Sequence, residues 1–186
     1  MPSSYLTNAT FGAIPTDAVI SRPAAIVGRT STQTIAKVDA TQVGFSTTAV
    51  LDNGVATLGT AMVGPSTTHS GFSNTGTSNG SIYIRRSGVY QVSWRCAWNV
   101  ASDNAGRRQS TVWKTTSGTD TIVMRDDQVP LNQNSDVHVA VSTIAALTNG
   151  DELWVSVYQS STSNSSLLTT YGQPIELAVV YLGPSS

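Results

Sequence analysis

The chain has 186 residues, a net charge of −1 and 11% charged residues, against roughly 25% in an average soluble domain. That length suits one domain with a sizeable core. No Lys/Arg run exceeds the pairs Arg85-Arg86 and Arg107-Arg108, so the footprint of a nucleic-acid binder is missing, and no apolar run approaches the ~20 residues of a membrane-spanning helix.

Residues 1–22 carry scattered apolar groups (Tyr5, Leu6, Phe11, Ile14, Val19, Ile20) among prolines, with no periodicity. This reads as an extended arm that needs a partner surface, with Tyr5, Leu6, Phe11 and Ile14 as anchoring candidates. The opening MPSSYLTNAT has neither a basic start nor a hydrophobic stretch, so no secretory signal is read there and synthesis in a cytoplasm without export is expected. The sequons at Asn8, Asn79 and Asn164 then read as chance matches in a Ser/Thr-rich chain.

From residue 23 to 186 the chain reads as one domain. Short β-rich runs alternate with Gly/Ser/Thr/Asn turns, at 24–29, 33–38, 41–45, 55–58, 81–86, 88–98, 107–114, 121–125, 137–144, 151–159 and 174–182. Around ten strands without intervening helices predict an all-β antiparallel sandwich or barrel. The segments 59–80, 99–106, 115–120, 126–136 and 159–172 are expected to be loops.

The run SGVYQVSWRCAWNV, 87–100, concentrates the apolar bulk. Strict alternation puts Tyr90, Val92, Trp94, Cys96 and Trp98 on one face and Val89, Gln91, Ser93, Arg95 and Ala97 on the other. The lone Cys96, on the face expected to be core, reads as a small buried hydrophobe. Two later strands are apolar on both faces: Leu153, Val155 and Val157 oppose Trp154 and Tyr158, and Ile175, Leu177, Val179 and Tyr181 oppose Ala178, Val180 and Leu182. A sandwich buries one face of each strand, so the second face points to an oligomer interface.

Catalytic patterns are not found. His69 lies in a Gly/Ser loop and His138 on an alternating strand, and no nucleophile elbow, Cys/His pair or His-rich metal spacing occurs; an enzyme and a bound cofactor are therefore not expected. Carboxylates come as local pairs in expected turns, Asp126-Asp127 and Asp151-Glu152. Asp151 reads as a turn cap, and Asp126-Asp127 as at most two of the six or more oxygens calcium needs.

IYIRRSGVYQVSWRCAWN, LTNGDELWVSVYQ and PIELAVVYL resemble, in order and spacing over about 23–182, the complement-type globular heads of the tumour necrosis factor-like jelly-roll superfamily. AAIVGRTSTQTI, VDATQVGFSTT and NAGRRQSTVWK resemble the versions in short virion proteins of tailed bacteriophages. The resemblance implies a ten-stranded jelly roll in a homotrimer, with the first, central, Gly-Asp-launched and closing strands lining the axis. It makes Val89, Gln91, Ser93, Arg95, Trp154, Tyr158, Val180 and Leu182 interface candidates. It also implies a non-enzymatic virion surface protein partnered by other virion proteins. One expected role is at the tail tip, where His69, Phe72 and Tyr171 would contact a host cell-surface glycan or protein; the alternative is head decoration at three-fold capsid sites. A secreted signalling head fits less well with the missing signal sequence.

Overall fold

A computed structural model describes residues 24–29, 31–37, 40–45, 47–49, 63–66, 81–99, 106–129, 137–161, 164–168 and 175–185. Among them run thirteen strand segments: β1 (Ala24–Arg29), β2 (Gln33–Ile35), β3 (Ala40–Gln42), β4 (Thr47–Ala49), β5 (Val63–Ser66), β6 (Ser81–Ile84), β7 (Gly88–Asn99), β8 (Arg108–Thr116), β9 (Thr119–Gln128), β10 (Val137–Leu147), β11 (Glu152–Gln159), β12 (Ser165–Leu168) and β13 (Ile175–Gly183). All pairings are antiparallel.

The strands form two sheets. In sheet A the twelve-residue β7 is the spine. β10 runs along one edge of it, while β13 and then β12 share the other; β1 and β4 extend the sheet beyond β13, and β2 beyond β12. Sheet B is ordered β5-β6-β11-β8-β9, with β3 beside the far end of β11.

The period-two pattern of the sequence decides what lies between the sheets. Tyr90, Val92, Trp94, Cys96 and Trp98 are each at most 3% exposed. They pack with Leu153, Val155 and Val157 of β11 and Ile175, Leu177 and Val179 of β13 in one core, and Phe45 meets Trp94 edge-on at 6.3 Å. Each such side chain contributes about 1.5–3 kcal/mol by leaving water. The expectation for Cys96 holds: it is buried, and burial pushes its thiol up to about 12.

Two local devices fix the ends of the sandwich. Ser117 and Gly118 turn β8 into β9 with φ of 50° and 81°, the left-handed pair that a two-residue hairpin matching strand twist requires. At the Gly-Asp turn, Asp151 is buried and accepts bonds from the Thr148 amide at 2.8 Å and the Thr116 hydroxyl at 2.5 Å, as its reading as a turn cap anticipated.

Several expectations are corrected. The segment 115–120 is a tight hairpin inside a long β8–β9 ladder, whose β9 continues to Gln128. Within 159–172 and 59–80 lie β12 and β5, short strands too polar or too broken to show a period. Asp126-Asp127 belongs to β9, where neighbouring side chains point to opposite faces and cannot converge on one ion. The Gly-Asp-launched β11 is in sheet B, while the first, central and closing strands are in sheet A. The strand expected at 55–58 and the arm 1–22 lie outside the described residues.

Candidate interaction face

The outward side of sheet A brings most of the interface candidates together. Register fixes its rows. Ala140, Arg95, Glu176 and Gly28 are successive partners across β10, β7, β13 and β1. The next row is Ser142, Ser93, Ala178 and Ile26, and the next is Ile144, Gln91 and Val180. Val89 and Leu182 lie half-buried at the end of the same strands. Six of the eight candidates (Val89, Gln91, Ser93, Arg95, Val180 and Leu182) thus sit in sheet A.

The middle row is small, and its neighbours are larger. This leaves a trough of about 370 Å³ across the sheet, lined by Ile26, Ser93, Arg95, Ala140, Ser142 and Ala178 among others. Charge on the face is internally matched: Arg95 donates through Nε to Glu176 at 2.9 Å, and its Nη2 bonds the same carboxylate oxygen. Ser142 Oγ lies 3.2 Å from both the Gln91 amide nitrogen and Ser93 Oγ.

The sandwich edge beside this face is apolar. Ile122 and Ile144 are 48% and 67% exposed, one on each of the edge strands β9 and β10, and Val129, 67% exposed, follows the end of β9. Behind them Val123, Met124, Val141 and Ala145 pack against the core yet remain partly open.

Trp154 and Tyr158 do not belong here. Both are on β11 in sheet B, and Trp154 is 0% exposed within a single chain. Its ring stacks on Trp113 with centroids 5.5 Å apart at 12°, and its indole N–H donates to Thr115 Oγ1 at 3.0 Å. Trp113 in turn donates to Ser156 Oγ at 2.8 Å. The second apolar face of β11 is therefore satisfied inside the chain, by a cross-strand tryptophan pair.

The remaining polar side chains support structure. Asp127 is gripped by Arg107, which donates through Nε at 2.7 and 2.8 Å, and receives a bond from Gln109; chiefly the Arg107 hydrogen bond holds its carboxyl below the usual carboxylate range. His138 is exposed on β10. Among the described residues no group of three or more His, Cys, Asp or Glu could hold a metal ion, and no helix is long and apolar enough to cross a membrane. Tyr5, Leu6, Phe11, Ile14, His69, Phe72 and Tyr171 lie outside the described residues.

Sequence reading missed Ile26, Ala140, Ser142, Ile144 and Glu176 as parts of this face. Only the register, which sets Glu176 opposite Arg95 and Ser142 opposite Ser93, makes them one surface.

Two antiparallel sheets around a single core, built on a long central strand, define a jelly-roll sandwich. Solved structures at 11–14% identity share this fold. Eiger TNF from S. frugiperda superposes with a TM-score of 0.60 at 14% identity, covering 89% of this chain and 95% of that one. Murine APRIL at pH 5.0 gives 0.59 at 12% identity, covering 87% and 99%, and at pH 8.0 gives 0.56 at 11%, covering 86% and 98%. No protein-family model matches the chain, and no curated relative matches it.

Proposed function

We propose that the protein is a non-enzymatic homotrimer forming a knob on the surface of a tailed-phage virion. We place it as a minor tail or tail-tip protein whose loops contact a glycan or protein of the host envelope. The observation that carries the trimer is the outward side of sheet A, a broad face of small and apolar side chains whose one ion pair is satisfied within the chain. An apolar edge containing Ile122 and Ile144 lies beside it. Face and edge meet at Ile144, and a copy that lays its edge strand against its neighbour's face makes a heterologous contact, which in the proposed trimer closes into a ring.

The virion placement rests on the sequence resemblance. At 11–14% identity the solved neighbours carry the fold alone, so their cytokine names are not transferred. Three copies of a weakly binding loop set gain avidity from simultaneous engagement, which suits attachment without turnover. Head decoration would use the same trimer without any receptor.

Gold-labelled antibody on intact particles tests the placement. Label at the tail tip is the expected result; label spread over the head replaces the tail reading with decoration. Purified particles lacking the protein would overturn both.

A further inference from the structure

We propose that the outward side of sheet B binds an acidic saccharide, with Arg125 taking a sugar carboxylate and Trp113 taking the apolar C–H face of a sugar ring. The inference rests on the glycan reading above and deepens it, giving that contact a site on a rigid sheet and a ligand charge. It depends on neither the trimer nor the virion placement.

Register builds the site. Val112 of β8 and Leu153, Val155 and Val157 of β11 lie in the core, so the residues alternating with them face outward. Trp113 stands opposite Trp154 and Ile122, Thr111 opposite Ser156 and Arg125, and Gln109 opposite Tyr158 and Asp127. These are three rows across β9, β8 and β11, about 7 Å apart along the strands. An aromatic row, a row with a cation, and a row of amide, phenol and carboxylate groups thus follow one another. Aromatic surface beside a few placed polar groups is the make-up of a site for a polar ligand with an apolar face.

Two of these side chains are held in place within the chain itself. Trp113 stacks one ring face on Trp154 and donates its indole N–H to Ser156 Oγ at 2.8 Å, yet part of its surface stays open. Arg125 is exposed and donates through Nε to Thr111 Oγ1 at 3.2 Å. That bond fixes the stem and leaves the two terminal nitrogens, which can grip a carboxylate. The nearest carboxylate is already committed: Arg107 donates to Asp127 at 2.7 and 2.8 Å. Among the described residues Arg125 forms no ion pair. Two cations, Arg107 and Arg125, against one anion, Asp127, leave this end of the face positive on a chain of net charge −1. Residues 125 and 113 are diagonal neighbours about 7–8 Å apart, a gap that long and aromatic side chains bridge, so one ligand meets both. A compact anion such as phosphate would use Arg125 and gain nothing from the ring. A neutral sugar would use the ring and leave the cation without a partner.

The test uses the purified 186-residue chain with hexagalacturonate, hexamannuronate and hexasialate as acidic probes and maltohexaose as the neutral one. Calorimetry and quenching of tryptophan fluorescence read the binding. At least one acid should bind, and its methyl ester, which keeps the rings and removes the charge, should bind at least about tenfold more weakly. Arg125→Gln should lose a similar factor at an unchanged melting temperature. Arg85→Gln makes the same change in net charge at an exposed arginine outside the site and should bind as wild type. Trp113→Phe, with its smaller ring, should bind about threefold more weakly. Binding of none of the three acids, equal binding of acid and ester, or equal loss in both arginine variants would overturn the proposal. Binding of maltohexaose alone would overturn this site and leave a loop-borne glycan contact standing. Acid binding by a protein that no antibody finds on particles would remove the virion placement alone.

Discussion

Arg95 and Glu176 stand directly opposite one another on β7 and β13, and the guanidinium donates to the carboxylate through two nitrogens. The pair lies half open on the face proposed to meet a second copy, with the side chain of Arg95 51% exposed. Within one chain such a pair contributes at most about 1 kcal/mol. Once covered, removing one partner strands a buried charge and costs about 3–5 kcal/mol. Glu176→Gln should therefore leave the melting temperature of an isolated chain nearly unchanged while weakening assembly by more than a hundredfold, measured by analytical ultracentrifugation across a concentration series.

The apolar edge gives a second test of the same contact. Ile144→Asp places a carboxylate where the chain is open to water, so folding by circular dichroism should be retained. In the proposed ring the charge would be buried without a partner, and light scattering should report monomers. A trimer that persists in this variant would remove β10 from the interface.

Trp154 is expected to behave as core. Trp154→Ala removes the stacked partner of Trp113 and the bond to Thr115, and should cost about 3–5 kcal/mol in urea unfolding, as large-to-small substitutions at buried aromatics do. Its signature is lost stability with unchanged assembly in whatever fraction folds, the reverse of Glu176→Gln.

Gly88 opens β7 where the chain is tightest. A Cβ there would lie 2.3 Å from Tyr181 Cε2 and 2.5 Å from the Gly183 carbonyl oxygen. The carbonyl belongs to the backbone of the paired strand and cannot step aside. Gly88→Ala should cost at least about 3 kcal/mol, the upper range for overpacking, and should also loosen the edge-to-face Tyr90–Tyr181 contact at 5.3 Å. Near-ultraviolet circular dichroism reads both.

Alkaline pH should act through buried acids. The Cys96 thiol is pushed up, chiefly by burial, from its ordinary value near 9.0 to about 12. The unfolded chain therefore releases its proton first. The stabilisation is complete below pH 9 and drains away between pH 9 and 12, at up to about 1.4 kcal/mol per pH unit. Tyr90, raised to about 12 by burial and then by Tyr181, acts in the same direction from pH 10. Urea midpoints of wild type and Cys96→Ser should converge as pH rises through this window. A thiol reagent should find Cys96 silent at pH 8 until the chain is unfolded; rapid labelling of the folded chain would contradict the burial.

Alternation made the core legible. The inward side of β7 is the set that the period of two selects, and Cys96 falls where its neighbours place it. Pattern failed at β11, because a strand apolar on both sides looks the same whether its second side is covered by another copy or by Trp113. It failed again at Asp126-Asp127, where polar residues read as a turn but continue a ladder whose inward side is only partly buried. The trough was illegible for a different reason. Its residues come from four strands far apart in sequence, and nothing short of the register puts Ser142 beside Ser93 or Ile26 beside Ala178.

Among the described residues β9 and β10 each hydrogen-bond to a neighbour on one side only, along ten and eleven residues. Long open strands of this kind template further pairing with other chains. β9 carries Arg125, Asp126 and Asp127, gatekeepers that make such pairing self-limiting. The alternating run from Val137 to Leu147 has no Asp, Glu, Lys or Arg. A newly made chain is thus safest when it meets its own kind early. If the proposed trimer covers β10, the concentration of chains during synthesis sets the balance between assembly and aggregation.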